Sequence, residues 1–328
     1  DASTPVCRDD GVCVQCTDGN PVACDGTTPV CDADASACVG CTYHEQCTGT
    51  ACEIDTGACF EETCLRDVGS GQAFETLEDA LSDGADGCVL LVHGGGYSED
   101  VVVNGGVVVA ILAVEGENVI IDGDAASEDP TLAVSGGADL YVQGLEVGQN
   151  TGVGVDVSGA RVWLDRVRVV GNDGGGLVLR DTAYASVRNC FVGGDVSDIA
   201  SVDATDASID ILYSSLGAGF GTAAALRCEA LATVNVRNSL LVARTSDPAV
   251  DCMTDSFDNN ATEVELEDMN TNWFAGYGVG DFSLNLANAP AEILTTAEWN
   301  TGDPTVDIDG EPRPNVDGTA DVAGADVP

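Results

Sequence analysis

The stretch VDVSGARVWLDRVRVV, residues 155–170, decides the fold. Apolar and polar residues alternate in two short runs on either side of Ser158-Gly159-Ala160, and a period of two is the pattern of strands with one face buried. Helical spacing is absent. Segments of the same kind lie before and after it. Aligned on their internal valines, they start at Thr131, Val155, Leu177, Ala200, Ala225 and Ala249, spaced by 24, 22, 23, 25 and 24 residues. Self-similarity at this period marks a solenoid, because a unit of two strands buries its apolar face only against its neighbours. The expected architecture is therefore all-β, a coil of parallel strands. The short segment SVRN at 186–189 and its echo NVRN at 235–238 then fall two turns apart in one column.

Stacking the repeats predicts which side chains share a column. Val142, Leu164, Val187, Ile211 and Val236 occupy one inward position, and Leu145, Val167, Cys190, Ser214 and Ser239 another. Each buried Val or Leu contributes about 1.5–3 kcal/mol, so a one-residue slip, which turns a strand inside out, is strongly disfavoured. A third, outward column reads Arg180, Asp203, Arg227, Asp251. At the ~4.8 Å separation of stacked strands, opposite charges attract and like charges repel. The alternation therefore reads as a structural charge ladder that sets register, as does the pairing of Asp165 with Arg188.

Composition narrows the function. Of 328 residues, 44% are hydrophobic and only 5% aromatic, which provides a core built from valines and turns rich in Gly and Asp. The net charge is −45, from 56 acids against 11 basic residues, every one of them arginine. Nucleic acid is excluded as a partner, since phosphate binding depends on cationic side chains. No apolar run is long enough to span a membrane. The sequence opens at Asp1 without a signal peptide, as expected of a processed mature form.

Fifteen cysteines are present, 11 of them between Cys7 and Cys64. Such density in a segment poor in large apolar residues points to disulfides and an oxidising compartment. Cys13, Cys16, Cys24, Cys31 and Cys38 make one repeat and Cys38, Cys41, Cys47, Cys52 and Cys59 a second, shorter one. Cys228 and Cys252 occupy one position on adjacent turns and are expected to bond, and Cys64 pairs with Cys88 across the start of the coil. Ten cysteines (Cys7, Cys13, Cys16, Cys24, Cys31, Cys38, Cys41, Cys47, Cys52 and Cys59) remain for five bridges whose pairing is open. Zinc held by Cys13/Cys16 and Cys38/Cys41 is the competing reading, and Asp32, Asp34, Glu53 and Asp55 are turn acids that calcium would also accept. No cofactor is assigned, and calcium is admitted without a placed site. Cys190, in an inward column, is expected to be a buried thiol.

The ends of the coil carry family resemblances. TLEDALSDG (76–84) reads as a capping helix, with Thr76 and Asp79 in a capping box and Gly84 at its end. With CVLLVHGGGYSEDVVV (88–103) behind it, segment 71–103 resembles the start of right-handed parallel β-helix proteins of the pectate-lyase-like superfamily, where Gly95, Tyr97 and Glu99 match a G-x-Y-x-E turn, and the resemblance implies a right-handed parallel β-helix here. DFSLNLANAPAEI (281–293) followed by DIDGEPRPNVDGTADVAGAD (307–326) resembles the terminal motif of bacterial surface β-helix proteins called choice-of-anchor Q proteins, through Asp307, Asp309, Gly310, Arg313 and Pro314. The cysteine-rich head resembles short repeats common in secreted proteins of myxobacteria. These readings divide the chain into a disulfide-stapled segment 1–64, a β-helix 65–280 and a C-terminal capping segment 281–328.

For catalysis, the best patch is Arg180, Asp181, Asp203 and Arg227, the kind of acid and arginine cluster that glycan-cleaving enzymes place on an outer strand face. Fold alone does not transfer that activity, and the charge ladder accounts for the same residues. His44 and His93, the only histidines, are the only candidates for a Ser-His-Asp arrangement. The glycines of VHGGGY lack the helix a phosphate cradle needs, and DIDG lacks the remaining ligands of a calcium loop. The expectation is a non-catalytic secreted or cell-surface protein, structural or adhesive, that assembles with itself into a filament or binds cell-surface components. The competing class is a carbohydrate-active enzyme or carbohydrate-binding β-helix, for which Trp163, Trp273 and Trp299 are the only tryptophans to build a platform.

Overall fold

The computed structural model describes residues 6–7, 13–16, 24, 26–32, 35–193, 199–219, 223–229, 231–243, 249–262 and 271–328. Two compact units emerge: residues 1–66 with 85–89, and residues 67–84 with 90–328. Segment 281–328 belongs to the second unit together with the coil.

The second unit is a parallel β-solenoid with three sheets. Successive turns contribute one strand to each: in the first sheet Val101–Val103, Leu132–Ser135, Val155–Ser158, Leu177–Arg180, Val202–Thr205, Leu226–Glu229 and Val250–Asp251. The second sheet carries the longer strands, such as Arg161–Asp165 and Tyr184–Arg188, and the third the short ones, such as Arg168–Val170 and Phe191–Gly193. All pairing between turns is parallel and in sequence order. Val142, Leu164, Val187, Ile211 and Val236 stand opposite one another and are buried, as the valine pattern requires.

Two details of the repeat differ from the alignment on valines. The turns start in register at Leu132, Val155, Leu177, Val202, Leu226 and Val250, so Thr131, Ala200, Ala225 and Ala249 precede their strands by one or two residues. The slip is largest where the connection between Gly193 and Val202 is longer than its predecessor between Val170 and Leu177. As a result Arg180 leaves the charge column. It faces Ser158, and the column reads Asp156, Val178, Asp203, Arg227, Asp251.

The recurring Val-Arg-Asn lies at the corner between the second and third sheets. There the chain turns through a left-handed residue on each turn: Gly144, Arg166, Asn189, Tyr213, Asn238 and Asn259, with φ of 75, 54, 51, 47, 56 and 56°. Asparagine tolerates this conformation better than most residues. The bend takes the next N–H out of the sheet ladder, and a buried side chain on the following turn accepts it: Cys190 N–H donates to Ser214 Oγ (3.2 Å), Ser214 N–H to Ser239 Oγ (3.2 Å) and Ser239 N–H to Asn260 Oδ1 (2.8 Å). Polar residues therefore occupy an inward column because unpaired buried N–H groups are costly.

The first turns are covered by the helix Leu77–Ser82, whose Leu77 and Ala80 are buried. Thr76 accepts the N–H of Asp79, and the Glu99 carboxylate accepts those of Leu77 and Glu78 (both 2.8 Å). The G-x-Y-x-E turn thus caps the helix, an anion at a helix N-terminus. Tyr97 donates to the carbonyls of His93 (2.6 Å) and Val68 (3.2 Å).

Residues 273–328 return along the outer side of the third sheet as a strap. Trp273, Phe274, Tyr277, Phe282, Ile293 and Trp299 pack on Val170, Phe191, Tyr213, Leu240 and Val242 in one buried cluster. Gly217 makes room for the rings of Phe282 and Tyr277, which a Cβ there would strike.

The first unit is held by short hairpins and disulfides. Cys16–Cys31 and Cys24–Cys38 cross in one repeat, Cys41–Cys52 and Cys47–Cys59 in the next, and Cys64 is bonded to Cys88. The backbones of Cys7 and Cys13 pair in an antiparallel ladder, and their side chains lie outside the described residues, as does Asp34.

Candidate functional site

The acid and arginine patch forms on the outer face of the first sheet. Arg180 reaches back one turn to Asp156 (2.6 Å) and lies 4.0 Å from Asp181, whose other contact is the Ser158 hydroxyl at 2.6 Å. Arg227 bonds Asp203 on the preceding turn, with Asp251 opposite it on the next. The patch is therefore two ion pairs: Asp203–Arg227 within one column, and Asp156–Arg180, in which Arg180 reaches across from the column of Ser158. Burial pushes the Asp156 carboxyl up despite the guanidinium beside it. The Asp203 carboxylate holds Arg227 above its ordinary value. Each guanidinium bonds an aspartate of the preceding turn. The arrangement joins turns, while the two arginine side chains stay 48% and 43% exposed.

The same economy holds elsewhere on the coil. Arg161 grips Asp139 with two bonds (2.7 and 2.6 Å), and Arg188 grips Asp165 at 3.2 and 2.9 Å. Aromatic residues stack in one row, Tyr141 on Trp163 with ring centres 4.5 Å apart. Trp163, Trp273 and Trp299 are all buried, at 6%, 1% and 5% exposure, so none forms a surface platform for a sugar.

The histidines are structural in their contacts. His44 is buried and its Nδ1 accepts the N–H of Cys52. His93 has Nε2 3.0 Å from Asp67 and Nδ1 3.7 Å from Glu117, so both ring nitrogens face carboxylates. The sulfurs approach one another closely enough for a metal in two groups, Cys16, Cys24 and Cys31, and Cys41, Cys47 and Cys52, but all are spent in disulfides. Asp32 accepts the N–H of Ala35 and Glu53 the hydroxyl of Thr56, which are turn contacts.

The DIDG segment is a hub of the strap. Asp307 is fully buried and accepts three backbone N–H groups, from Asp309 (2.9 Å), Glu311 (2.8 Å) and Val327 (2.8 Å). Its oxygens are thus filled by amides where a calcium loop would turn them to the ion. Asp309 pairs with Arg168 of the coil. Arg313, wholly buried, stacks on the ring of Tyr213 at 4.1 Å and bonds Asp321 (3.2 Å) and the carbonyl of Gly324 (2.8 Å). Asn189 donates to the carbonyl of Val306, and Asn238 makes a reciprocal pair with the backbone of Glu298. Arg237 bonds Asp303. None of these strap contacts follows from repeat spacing, which covers only the coil. The available sequence signal was the asparagine at the end of both Val-Arg-Asn segments.

Cys228 and Cys252 are bonded, with Cα atoms 4.9 Å apart, and continue the inward column Val134, Val157, Leu179, Ala204. Cys190 is buried as a free thiol, and burial pushes it up to about 12. It is therefore protonated and unreactive near neutrality.

Residues 1–65, the cysteine-rich head, match a family of unknown function (DUF8331). No curated protein and no solved structure matches the chain.

Proposed function

We propose that this chain is a non-catalytic, secreted or cell-surface structural or adhesive protein: a disulfide-stapled head on a parallel β-solenoid with a C-terminal strap. The coil fits the pectate-lyase-like superfamily and its terminal motif the choice-of-anchor Q proteins, and the partners are further copies of the chain or components of a cell surface. One observation carries the reading: the arginines that would serve a glycan-cleaving site are bonded to aspartates of neighbouring turns. Disulfides in the head fit an extracellular location, and no helix among the described residues is long and apolar enough to cross a membrane.

The test is incubation of the purified protein with a panel of neutral and acidic polysaccharides, with and without calcium, followed by measurement of newly formed glycan ends and of co-sedimentation. The reading expects no new ends from any glycan, with retention on envelope material or self-association. Depolymerisation that is lost in both Arg180→Ala and Arg227→Ala, with the fold intact, would overturn it.

A further inference from the structure

Asn104 and Gly105 form the corner between strands Val101–Val103 and Val108–Ala113 and are the chain's single Asn-Gly pair. Asn104 is exposed. Gly105 and Gly106 have φ of 77 and 73°, and nothing lies within 4 Å of a Cβ built on either. Among the described residues, neither the Asn104 side chain nor the Gly105 N–H is engaged in a hydrogen bond. An asparagine side chain, a following amide without a side chain to hinder it, and an unrestrained exposed corner are the conditions for intramolecular attack.

We infer that Asn104 is a site of spontaneous covalent modification. The Gly105 nitrogen attacks Asn104 Cγ, the bond from Cγ to Nδ2 breaks and ammonia leaves, closing a succinimide ring. Water, the only other reactant, then adds to one or the other ring carbonyl and yields aspartate or isoaspartate. No electron changes hands. The product carries one more negative charge. Isoaspartate also adds a carbon to the backbone at a point where adjacent turns are close, since Gly105 N lies 3.1 Å from a Cβ built on Gly136.

Other asparagines supply internal controls. Asn238 precedes a serine, but it is fully buried, both its amide atoms are bonded to Glu298, and the N–H that would attack, that of Ser239, donates to Asn260. Asn189 is held by Val306, and the Cys190 N–H donates to Ser214. Both are locked by the strap and the corner ladder, and Asn104 is not.

The full-length protein is aged at mildly alkaline pH in water enriched in oxygen-18, digested and followed by mass spectrometry. Heavy oxygen is expected in the peptide containing Asn104, in two separable products, at a rate that rises with hydroxide concentration, and in neither product from Asn104→Gln. The peptides containing Asn189 and Asn238 should stay unlabelled until the protein is unfolded in urea. An Asn104 peptide that remains unlabelled in the native protein while the unfolded protein takes up label there, or native labelling at Asn238 as fast as at Asn104, would overturn the inference.

Discussion

Replacing Arg313 with methionine should release the strap. Its guanidinium has 0% side-chain exposure, and its partner Asp321 has 4%. Burial pulls Arg313 down from its ordinary value, yet the guanidinium remains charged at any accessible pH. Removing it strands the Asp321 carboxylate in a buried site without its cation, a change that costs about 3–5 kcal/mol, and the contact with the Tyr213 ring is lost as well. A loss of about 4 kcal/mol raises the population of the opened strap roughly a thousandfold. Hydrogen exchange reads this at Gly324 and Ala325, whose N–H groups bond the Asn238 carbonyl and Ser215 Oγ of the coil. Both amides should exchange about three orders of magnitude faster, with Val187 and Ile211 in the second sheet unchanged. Arg313→Met combined with Asp321→Leu removes both charges and should recover most of the loss, because an apolar pair of similar volume replaces a buried ion pair at little cost. Exchange in the single variant within a few-fold of the parent, or a double variant as fast as the single, would refute the reasoning.

Further expectations follow from the same structure. Cys190, pushed up to about 12, should resist alkylation in the native protein at mildly alkaline pH and react fully in urea, and rapid native labelling would contradict its burial. Replacing Cys228 and Cys252 together with alanine opens a link of sequence separation 24, a loss of about 3.5 kcal/mol from loop closure, measurable by denaturant unfolding of the coil. Asp326 is buried and raised to about 6, above the ~3.9 of an unfolded aspartate. Its native form therefore holds a proton that the unfolded form has lost. The stability that Asp326 contributes is fullest below about pH 4 and is lost as pH rises through 6, so Asp326→Asn should protect the strap by about 2–3 kcal/mol above pH 6 and change little below about pH 4. Equal effects at both ends of the range would show that Asp326 is not the titrating group.

The coil was legible because its signal is local and repeated. Val187 and Val236 recur at a fixed position in each turn, and period-two patterning assigns their faces without reference to the rest of the molecule. Cys228 and Cys252 were legible for the same reason. Register was less so: a connection of variable length, as between Gly193 and Val202, carries no apolar pattern, and a slip of two residues preserves which face each side chain occupies while moving Arg180 off the Asp203 column. The strap was almost wholly illegible. Its aromatic residues, Trp273 to Trp299, pack on the outer side of the third sheet at sequence distances that no repeat encodes, and Phe191 and Leu240 read as ordinary strand residues until the segment that covers them is in place. The same holds for Arg313, whose partner Tyr213 lies on a distant turn. The candidate site was legible only in its residue types: acids and arginines on adjacent turns look alike in sequence whether they serve a substrate or one another, and which aspartate each arginine bonds appears only in the structure.

Cysteine pairs test the stacking of the turns most directly. Val178 and Asp203 stand opposite each other on neighbouring strands, about 4.8 Å apart and within reach of a disulfide. Two residues along the strand, position 180 is about 8 Å from position 203, too far to bridge without backbone movement. Mild oxidation should therefore cross-link Val178→Cys with Asp203→Cys readily and leave Arg180→Cys with Asp203→Cys open. Efficient bridging of the 180–203 pair with none at 178–203 would contradict the register on which the assignment of every charged partner rests.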